Sequence, residues 1–207
     1  MNRNAVALLA GLVLAAPVVG CRVHVDKDAN GQDKTVQVDT PFGGVHVNTN
    51  QTSAADLGLP VYPGAQPVKD KDNDKSADVH VGFGEWQLHV RAVSYDSADP
   101  RDKVAAFYKK ALERYGDVLT CKGNIAVGTP TATAEGLTCQ DEGKHTKIEI
   151  NGAGNDPASD TEVQLKAGSK RHQHIVGFDK SKDDGHTRFV LIALDLPAGV
   201  EDSGKSD

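Results

Sequence analysis

Carboxylate and amide side chains near the N-terminus have the spacing of a calcium-binding loop. In the stretch DKDANG, Asp26, Asp28 and Asn30 occupy positions 1, 3 and 5 of an EF-hand-type loop, and a glycine follows at position 6. Position 12, where such a loop needs a bidentate glutamate, is the neutral Gln37. Asp, Asn and Gly are also the usual residues of a hairpin turn, so the stretch fits either a calcium site or a turn between strands.

Histidines form the second group of candidate ligands. His172 and His174 in the stretch HQH fall on one face of a predicted strand, a spacing that can bind zinc or copper. No third ligand accompanies them in the sequence, and ordinary exposed strand positions explain the pair without a metal. Four further histidines have apolar residues on both sides, and strand alternation places them on a solvent-facing face: His24, His46, His80 and His89.

The sequence contains no recognisable catalytic motif. It has no G-x-S-x-G, H-E-x-x-H or Cys–His arrangement, and the stretch GAGNDP at 152–157 lacks the lysine and the strand–helix context of a phosphate loop. We therefore expect no cofactor and a protein that binds rather than catalyses. A triad assembled from distant residues is the alternative that this criterion leaves open.

The N-terminal residues predict export and lipid attachment. Arg3 is the only charge before residues 5–20, an uncharged run that is shorter than the roughly 20 residues of a membrane span and matches a secretory signal peptide. The residues Val18-Val19-Gly20-Cys21 resemble the lipobox of bacterial lipoprotein precursors, which are cut just before the cysteine. The resemblance implies a mature chain that begins at Cys21 and is held at the membrane by acyl chains. The alternative is an ordinary signal peptide followed by an unrelated cysteine.

The other two of the three cysteines are candidates for a disulfide. Cys121 and Cys139 end two similar stretches, VLTC and GLTC, and an exported chain favours their pairing. Closing a loop of this size would stabilise the fold by about 3 kcal/mol. Two free buried thiols are the alternative, and the absence of C-x-x-C spacing disfavours a metal site.

Charge composition limits the partners. The chain has 29 acidic and 23 basic residues, a net charge of −6 without a basic cluster. Nucleic acid is therefore not expected as a partner, nor is electrostatic attraction to anionic lipid. The membrane is a partner only through the lipid anchor, and an envelope protein or a cell-wall component is the further partner that we expect.

One amphipathic helix is predicted in the stretch DPRDKVAAFYKKALERYG. Asp99 is a candidate N-cap, Pro100 suits the first helical position and Gly116 suits the end. Helical spacing gives one apolar stripe, made of Val104, Phe107, Tyr108, Ala111, Leu112 and Tyr115. Such a stripe must pack on a sheet or on another helix.

Short alternating or apolar runs predict the strands of that sheet. DVHVGFGEWQLHVRAVSYDS predicts two strands that turn near residues 82–85, and six runs follow the helix: DVLTC, EGLTC, TKIEI, TEVQLKA, HQHIVGF and RFVLIALDL. Most connections are too short for helical crossovers, so we expect antiparallel pairing, with the continuously apolar last run at the centre. The predicted fold class is α+β: an antiparallel sheet packed against one main amphipathic helix and preceded by a short β-rich stem.

Composition also suggests how the chain is divided. Residues 1–20 are the signal peptide, and residues 21–52 are the stem, in which Asn30-Gly31 and Gly43-Gly44 mark turns. Residues 53–65 form a linker and a proline-containing lead-in segment, 66–197 the α+β domain and 198–207 a polar tail.

Motifs across the chain resemble a group of uncharacterised exported bacterial lipoproteins. That group shares a TPFGG stem, a P-x-YPGA segment and a VAAFY helix, found here at 40–44, 60–65 and 104–108. The resemblance implies a periplasm-facing protein of the cell envelope. In such lipoproteins an aspartate after the lipidated cysteine is linked to retention in the inner membrane. Because this chain has Arg22 at that position, the resemblance implies location at the outer membrane in a cell that has one.

The sequence as a whole thus predicts a lipid-anchored lipoprotein that acts as a non-catalytic binding or interaction module. The first alternative is a lipoprotein that binds a small ligand or a metal ion (Ca, Zn or Cu). The second, with the least support, is a hydrolase whose active-site residues are unrecognised.

Overall fold

The computed structural model describes residues 21–27, 33–49, 51–68, 76–140, 161–179 and 186–198. Within these residues the chain forms an eleven-stranded antiparallel sheet and one α-helix, so the predicted antiparallel sheet with one main helix is confirmed. None of the helical segments described has the length and apolar character needed to span a bilayer. The predicted signal peptide, the run TKIEI and the stretch GAGNDP lie outside the described residues.

The strands of the sheet are β1 (Arg22–Lys27), β2 (Asp33–Thr40), β3 (Gly43–Thr49), β4 (Gln66–Pro67), β5 (Ser76–Phe83), β6 (Trp86–Ser97), β7 (Val118–Lys122), β8 (Ile125–Ala126), β9 (Thr161–Gly168), β10 (His172–Asp179) and β11 (Thr187–Asp195). Their order across the sheet departs from sequence order in its second half. The order is β1-β2-β3-β5-β6-β11-β10-β9-β7-β8, and β4 pairs with the end of β6 that β5 does not cover. The central position predicted for the last apolar run is confirmed, because β11 lies between β6 and β10.

Helix α1 (Arg101–Leu112) covers one face of the sheet and continues into a 3-10 turn at Glu113–Tyr115. Its predicted stripe is confirmed: Val104, Tyr108 and Leu112 are buried, and the other three residues are partly buried beside them. The main core lies between this stripe and one face of the sheet, which we call the helix-side face. That face contributes Val93, Tyr95, Val118, Leu165, Ala167, Val176, Phe178, Phe189, Leu191 and Ala193.

The start of α1 differs from the prediction by one residue. Pro100, with an extended backbone, is the N-cap, and Asp99 lies before it. The Asp99 carboxylate instead accepts hydrogen bonds from the Tyr62 hydroxyl (2.8 Å) and the Lys103 ammonium group (3.0 Å), which lower the pKa of Asp99. The Asp99 side chain, which the sequence predicts as the N-cap, therefore makes a tertiary contact with Tyr62 instead of capping the helix.

The segment 53–65, which composition suggests as a linker, belongs to the main core. It begins with a 3-10 turn at Ala54–Leu57, and Ala54 and Leu57 are almost fully buried. Tyr62 is also buried, and its backbone N–H donates to the hydroxyl of Tyr108 on α1 at 3.2 Å. The segment therefore forms part of the layer that covers the sheet.

Strands β1, β2 and β3, which lie in the range predicted as a stem, extend the same sheet because β3 pairs with β5 along its whole length. The turn between β2 and β3 is formed by Pro41 and Phe42, so the predicted turn at Gly43-Gly44 is wrong. Gly43 lies inside β3, where a Cβ atom would lie 2.0 Å from the carbonyl oxygen of Gly82. The glycine thus allows a close approach of two strands rather than a turn.

The predicted disulfide is present, between Cys121 in β7 and Cys139. With Leu119 and Leu137 the two cysteines form a second apolar cluster, on the face opposite α1. The predicted EGLTC strand is wrong, because residues 135–139 make isolated bridges and no continuous ladder. Gly136 adopts a positive φ of 80°, which interrupts an extended backbone.

Candidate functional site

The pairing of the strands aligns histidines from five strands in one row on the helix-side face. Each member lies directly opposite the next across neighbouring strands, and the row crosses seven strands. In order, the row contains His24, Gln37, His46, His80, His89, Asp195 and His172. We call it the histidine row.

Strand alternation explains why the row is polar while the opposite face is apolar. The residues on either side of each of the first four row histidines point to the other face, where valines pair with valines, as in Val23↔Val38 and Val45↔Val81. This opposite face of β1, β2, β3 and β5, which we call the valine face, contains Val23, Val25, Val36, Val38, Val45, Val47, Val79 and Val81. The predicted placement of these histidines opposite their apolar neighbours is confirmed.

Each histidine of the row lies within reach of a polar side chain, and four of the five partners are carboxylates. The distances are His24 Nε2–Asp26 Oδ2 3.3 Å, His46 Nε2–Asp39 Oδ1 3.2 Å, His80 Nε2–Gln87 Oε1 2.8 Å, His89 Nε2–Asp78 Oδ1 2.7 Å and His172 Nδ1–Asp195 Oδ1 2.9 Å. The ring centroids of neighbouring histidines are 6.3 Å apart for His46–His80 and 5.5 Å apart for His80–His89. The face therefore presents five imidazoles, four of which have a carboxylate beside them.

Asp195 connects the row to the part of the sheet under α1. Its carboxylate lies 2.9 Å from His172 Nδ1, 3.2 Å from Arg91 Nη2 and 3.9 Å from His89 Nδ1. Burial raises the pKa of Asp195, but the hydrogen bond from His172 and the charge of Arg91 outweigh it, so the net pKa of this carboxyl is lowered. Asp195 is therefore ionised throughout the range in which imidazoles change charge.

A polar hollow of about 330 Å³ opens beside the row. Arg91 closes one side of it, donating from Nη1 to the carbonyl oxygen of Asp56 and from Nη2 to Asp195. Arg91 Nε is buried and has no hydrogen-bond partner among the described residues. The lining combines a guanidinium, an imidazole, two carboxylates and neutral polar groups, from Asn48, Gln51, Thr52, Asp56, Asp78, His89 and Arg91. These groups can bind a polar ligand by hydrogen bonds and charge.

The predicted His172–His174 pair lies on one face of β10, but the two rings have different partners. His172 is exposed and bonds to Asp195, whereas His174 stacks on Tyr115 with ring centroids 3.6 Å apart. Burial lowers the pKa of His174. Among the residues that the structure describes, no group of three or more His, Cys, Asp or Glu side chains is placed to hold a metal ion.

The remaining predicted site residues lie near the start of β1. Asp26 is exposed in β1 beside His24, while Asp28 and Asn30 lie outside the described residues, so the calcium loop stays a prediction. Cys21 is exposed, immediately precedes β1 and is not part of a disulfide. Sequence reasoning missed Arg91 and Asp195, which no local motif marks.

Compared with known proteins, the chain matches no family model, no curated protein and no solved structure.

Proposed function

We propose that this protein is a lipid-anchored lipoprotein of the bacterial cell envelope that acts as a non-catalytic binding module. Cys21 carries the lipid at the start of residues 21–52, whose strands lie at one edge of the sheet. The uncharged run at 5–20, the lipobox-like residues that end it and the exposed position of Cys21 support the anchor. The protein faces the periplasm, on the outer membrane in cells that have one.

The histidine row is the observation that carries the binding function. Five imidazoles lie on one open polar face, where the nitrogen atoms of each ring can donate or accept a hydrogen bond. We expect a partner that offers hydrogen-bonding groups such as carboxylate or phosphate, on an envelope protein or a cell-wall component.

Co-purification from detergent-solubilised membranes tests this proposal. We expect the tagged full chain to recover a stoichiometric partner. His80→Asn combined with His89→Asn should abolish recovery, because it removes the two central imidazoles of the row. His186→Asn is the matched control, since His186 is an exposed histidine outside the row. Repeated recovery of the protein alone, or equal recovery with the double variant, would contradict the proposal.

Metal binding is the second candidate function, and one observation favours it. His80 and His89 lie opposite each other on adjacent strands with ring centroids 5.5 Å apart, and imidazole suits zinc and copper. Calorimetric titration of the full chain with Zn²⁺, Cu²⁺ and Ca²⁺ tests it. A heat of binding that is lost in His80→Asn would support a metal site at His80 and His89. The absence of heat with all three ions would contradict metal binding.

A further inference from the structure

Cys21 lies at the end of the sheet that contains the β2–β3 turn. Arg22, the first residue of β1, pairs with Asp39, which is one residue before the end of β2. Cys21 therefore lies across from the end of β2, where the β2–β3 turn starts. Phe42 in this turn is 84 % exposed.

The β5–β6 turn at the same end of the sheet exposes two more aromatic side chains. Gly43, at the start of β3, pairs with Phe83, and Phe83 pairs with Trp86. Phe83 is 49 % and Trp86 41 % exposed, and their rings are 6.2 Å apart. With neighbouring strands about 4.8 Å apart, Phe42, Phe83 and Trp86 extend over roughly 12 Å. We call these three residues the aromatic rim.

Exposed apolar surface continues from the rim onto β1. Val23 and Val25, two and four residues after the anchor residue, are exposed on the valine face. Phe83 comes two residues after Val81 and lies on the same face, as does its partner Trp86. Continuous apolar surface of this kind marks an interaction site.

We propose that the aromatic rim rests in the headgroup region of the phospholipid bilayer to which Cys21 is tethered. This inference rests on the proposed lipid anchor. The bilayer is the expected partner of the rim because the uncharged residues 5–20 lead directly into Cys21, which lies at the same end of the sheet as the rim. Tryptophan favours the membrane–water interface, and phenylalanine gains from leaving water. Glu85, exposed in the β5–β6 turn, limits the contact to a shallow depth because a charged group is costly in hydrocarbon.

This contact fixes the height of the histidine row above the membrane. His24 comes three residues after Cys21, and a strand rises about 3.3 Å per residue, so the row lies about 10 Å from the rim. The polar face would therefore meet its partner close to the membrane surface.

Trp86 is the single tryptophan of the chain and so reports directly on the rim. The protein is extracted from membranes of the producing cells and reconstituted into phosphatidylethanolamine–phosphatidylglycerol vesicles that contain brominated lipid. We expect loss of Trp86 fluorescence, larger with bromine near the headgroup end of the acyl chain than with bromine near its tip. Unquenched fluorescence overturns the proposal. Trp86 that is shielded from iodide but not quenched by brominated lipid indicates another occupant, such as a second copy, and also overturns it.

A matched pair of variants tests the rim itself. Phe42→Ser removes the most exposed aromatic side chain and should reduce the quenching of Trp86, whereas Ile125→Ser should not, because Ile125 is 72 % exposed on β8 at the opposite edge of the sheet. Equal quenching in both variants contradicts the rim.

The mass of the Cys21 peptide separates failure of the rim from failure of the anchor. A lipidated protein with unquenched Trp86 overturns the rim and leaves the anchor intact. An unlipidated Cys21 overturns the anchor. Quenching of Trp86 by added vesicles that contain brominated lipid then shows whether the rim contacts the bilayer without it.

Discussion

Two histidines of β10 have opposite environments, although they are only two residues apart. His172 is exposed and bonds to Asp195, whereas the His174 ring is half-buried against Tyr115. Burial lowers the pKa of His174, the charge of Arg91 lowers it further, and Asp195 opposes the shift without cancelling it. His174 is therefore neutral in the folded protein at pH values where the unfolded chain already binds a proton.

His174 should make the folded protein less stable in mild acid. Its unfolded pKa is about 6.5 and its folded pKa is lower, so the unfolded state binds more protons as the pH falls below that value. The free energy of unfolding should thus decrease between pH 7.5 and pH 5.5. In His174→Phe, which keeps a ring against Tyr115, urea denaturation should show a smaller decrease. His24→Asn, at an exposed position, is the control, and equal decreases in His174→Phe and the wild type would contradict this role.

The Tyr108 hydroxyl should stabilise the contact between α1 and the segment 53–65. Tyr108 is fully buried and accepts the backbone N–H of Tyr62, and burial raises the pKa of Tyr108, so the group stays neutral. Tyr108→Phe leaves that N–H without a partner and should lower the free energy of unfolding by about 1–3 kcal/mol. Tyr115→Phe is the control: its hydroxyl donates to the Gly58 carbonyl at an exposed position, where water can replace it. Similar losses in both variants would be the contrary result.

Elements with a local signal were predictable, and contacts between distant segments were not. The apolar stripe of α1 is visible in the sequence. The helix begins one residue later than predicted, because Asp99 bonds to Tyr62, 37 residues away in the chain. Along the histidine row, the steps from β1 to β2, β2 to β3, β5 to β6 and β10 to β11 join strands that are consecutive in the sequence. The steps from β3 to β5 and from β6 to β11 depend on non-local pairing that periodicity does not specify.

The strands should differ in how readily their backbone amides open. β1 is exposed along its length and, among the described strands, pairs only with β2, whereas β10 and β11 lie centrally under α1. Local opening is easiest where few apolar groups are buried, so amide hydrogen exchange should be fastest in β1 and slowest in β10 and β11. Mass spectrometry of exchanged peptides measures this gradient. Equal protection in β1 and β11 would refute it.

The disulfide should hold residues 127–139 against the face opposite α1. Cys121 and Cys139 are buried with Leu119 and Leu137, and the two cysteines lie 18 positions apart in sequence. Replacing both cysteines with alanine should lower the free energy of unfolding by about 3 kcal/mol on the chain-entropy model. Denaturant titration measures the loss, with Cys21→Ser as the control that leaves the bridge in place. Two alkylatable thiols at these positions in the native, unreduced protein would disprove the bridge.

The whole molecule is asymmetric along its strands and across its sheet. Cys21 and the aromatic rim share one end, the valine face and the histidine row lie on opposite sides, and the helix covers only the strands farther from β1. The sequence shows Cys21 and its lipobox-like context directly. It does not show that Phe42, Phe83 and Trp86 gather beside Cys21, because they come together only when β1, β2, β3, β5 and β6 are in register.

The most direct measurement is mass spectrometry of the N-terminal peptide from protein isolated from its producing cells after growth with labelled palmitate. We predict a peptide that begins at Cys21, contains the label and has the mass of an acylated cysteine, and a Cys21→Ser form that takes up no label. An unlabelled protein with a free Cys21 thiol, or a Cys21→Ser form that is processed and partitions into membranes like the wild type, would contradict the lipid anchor.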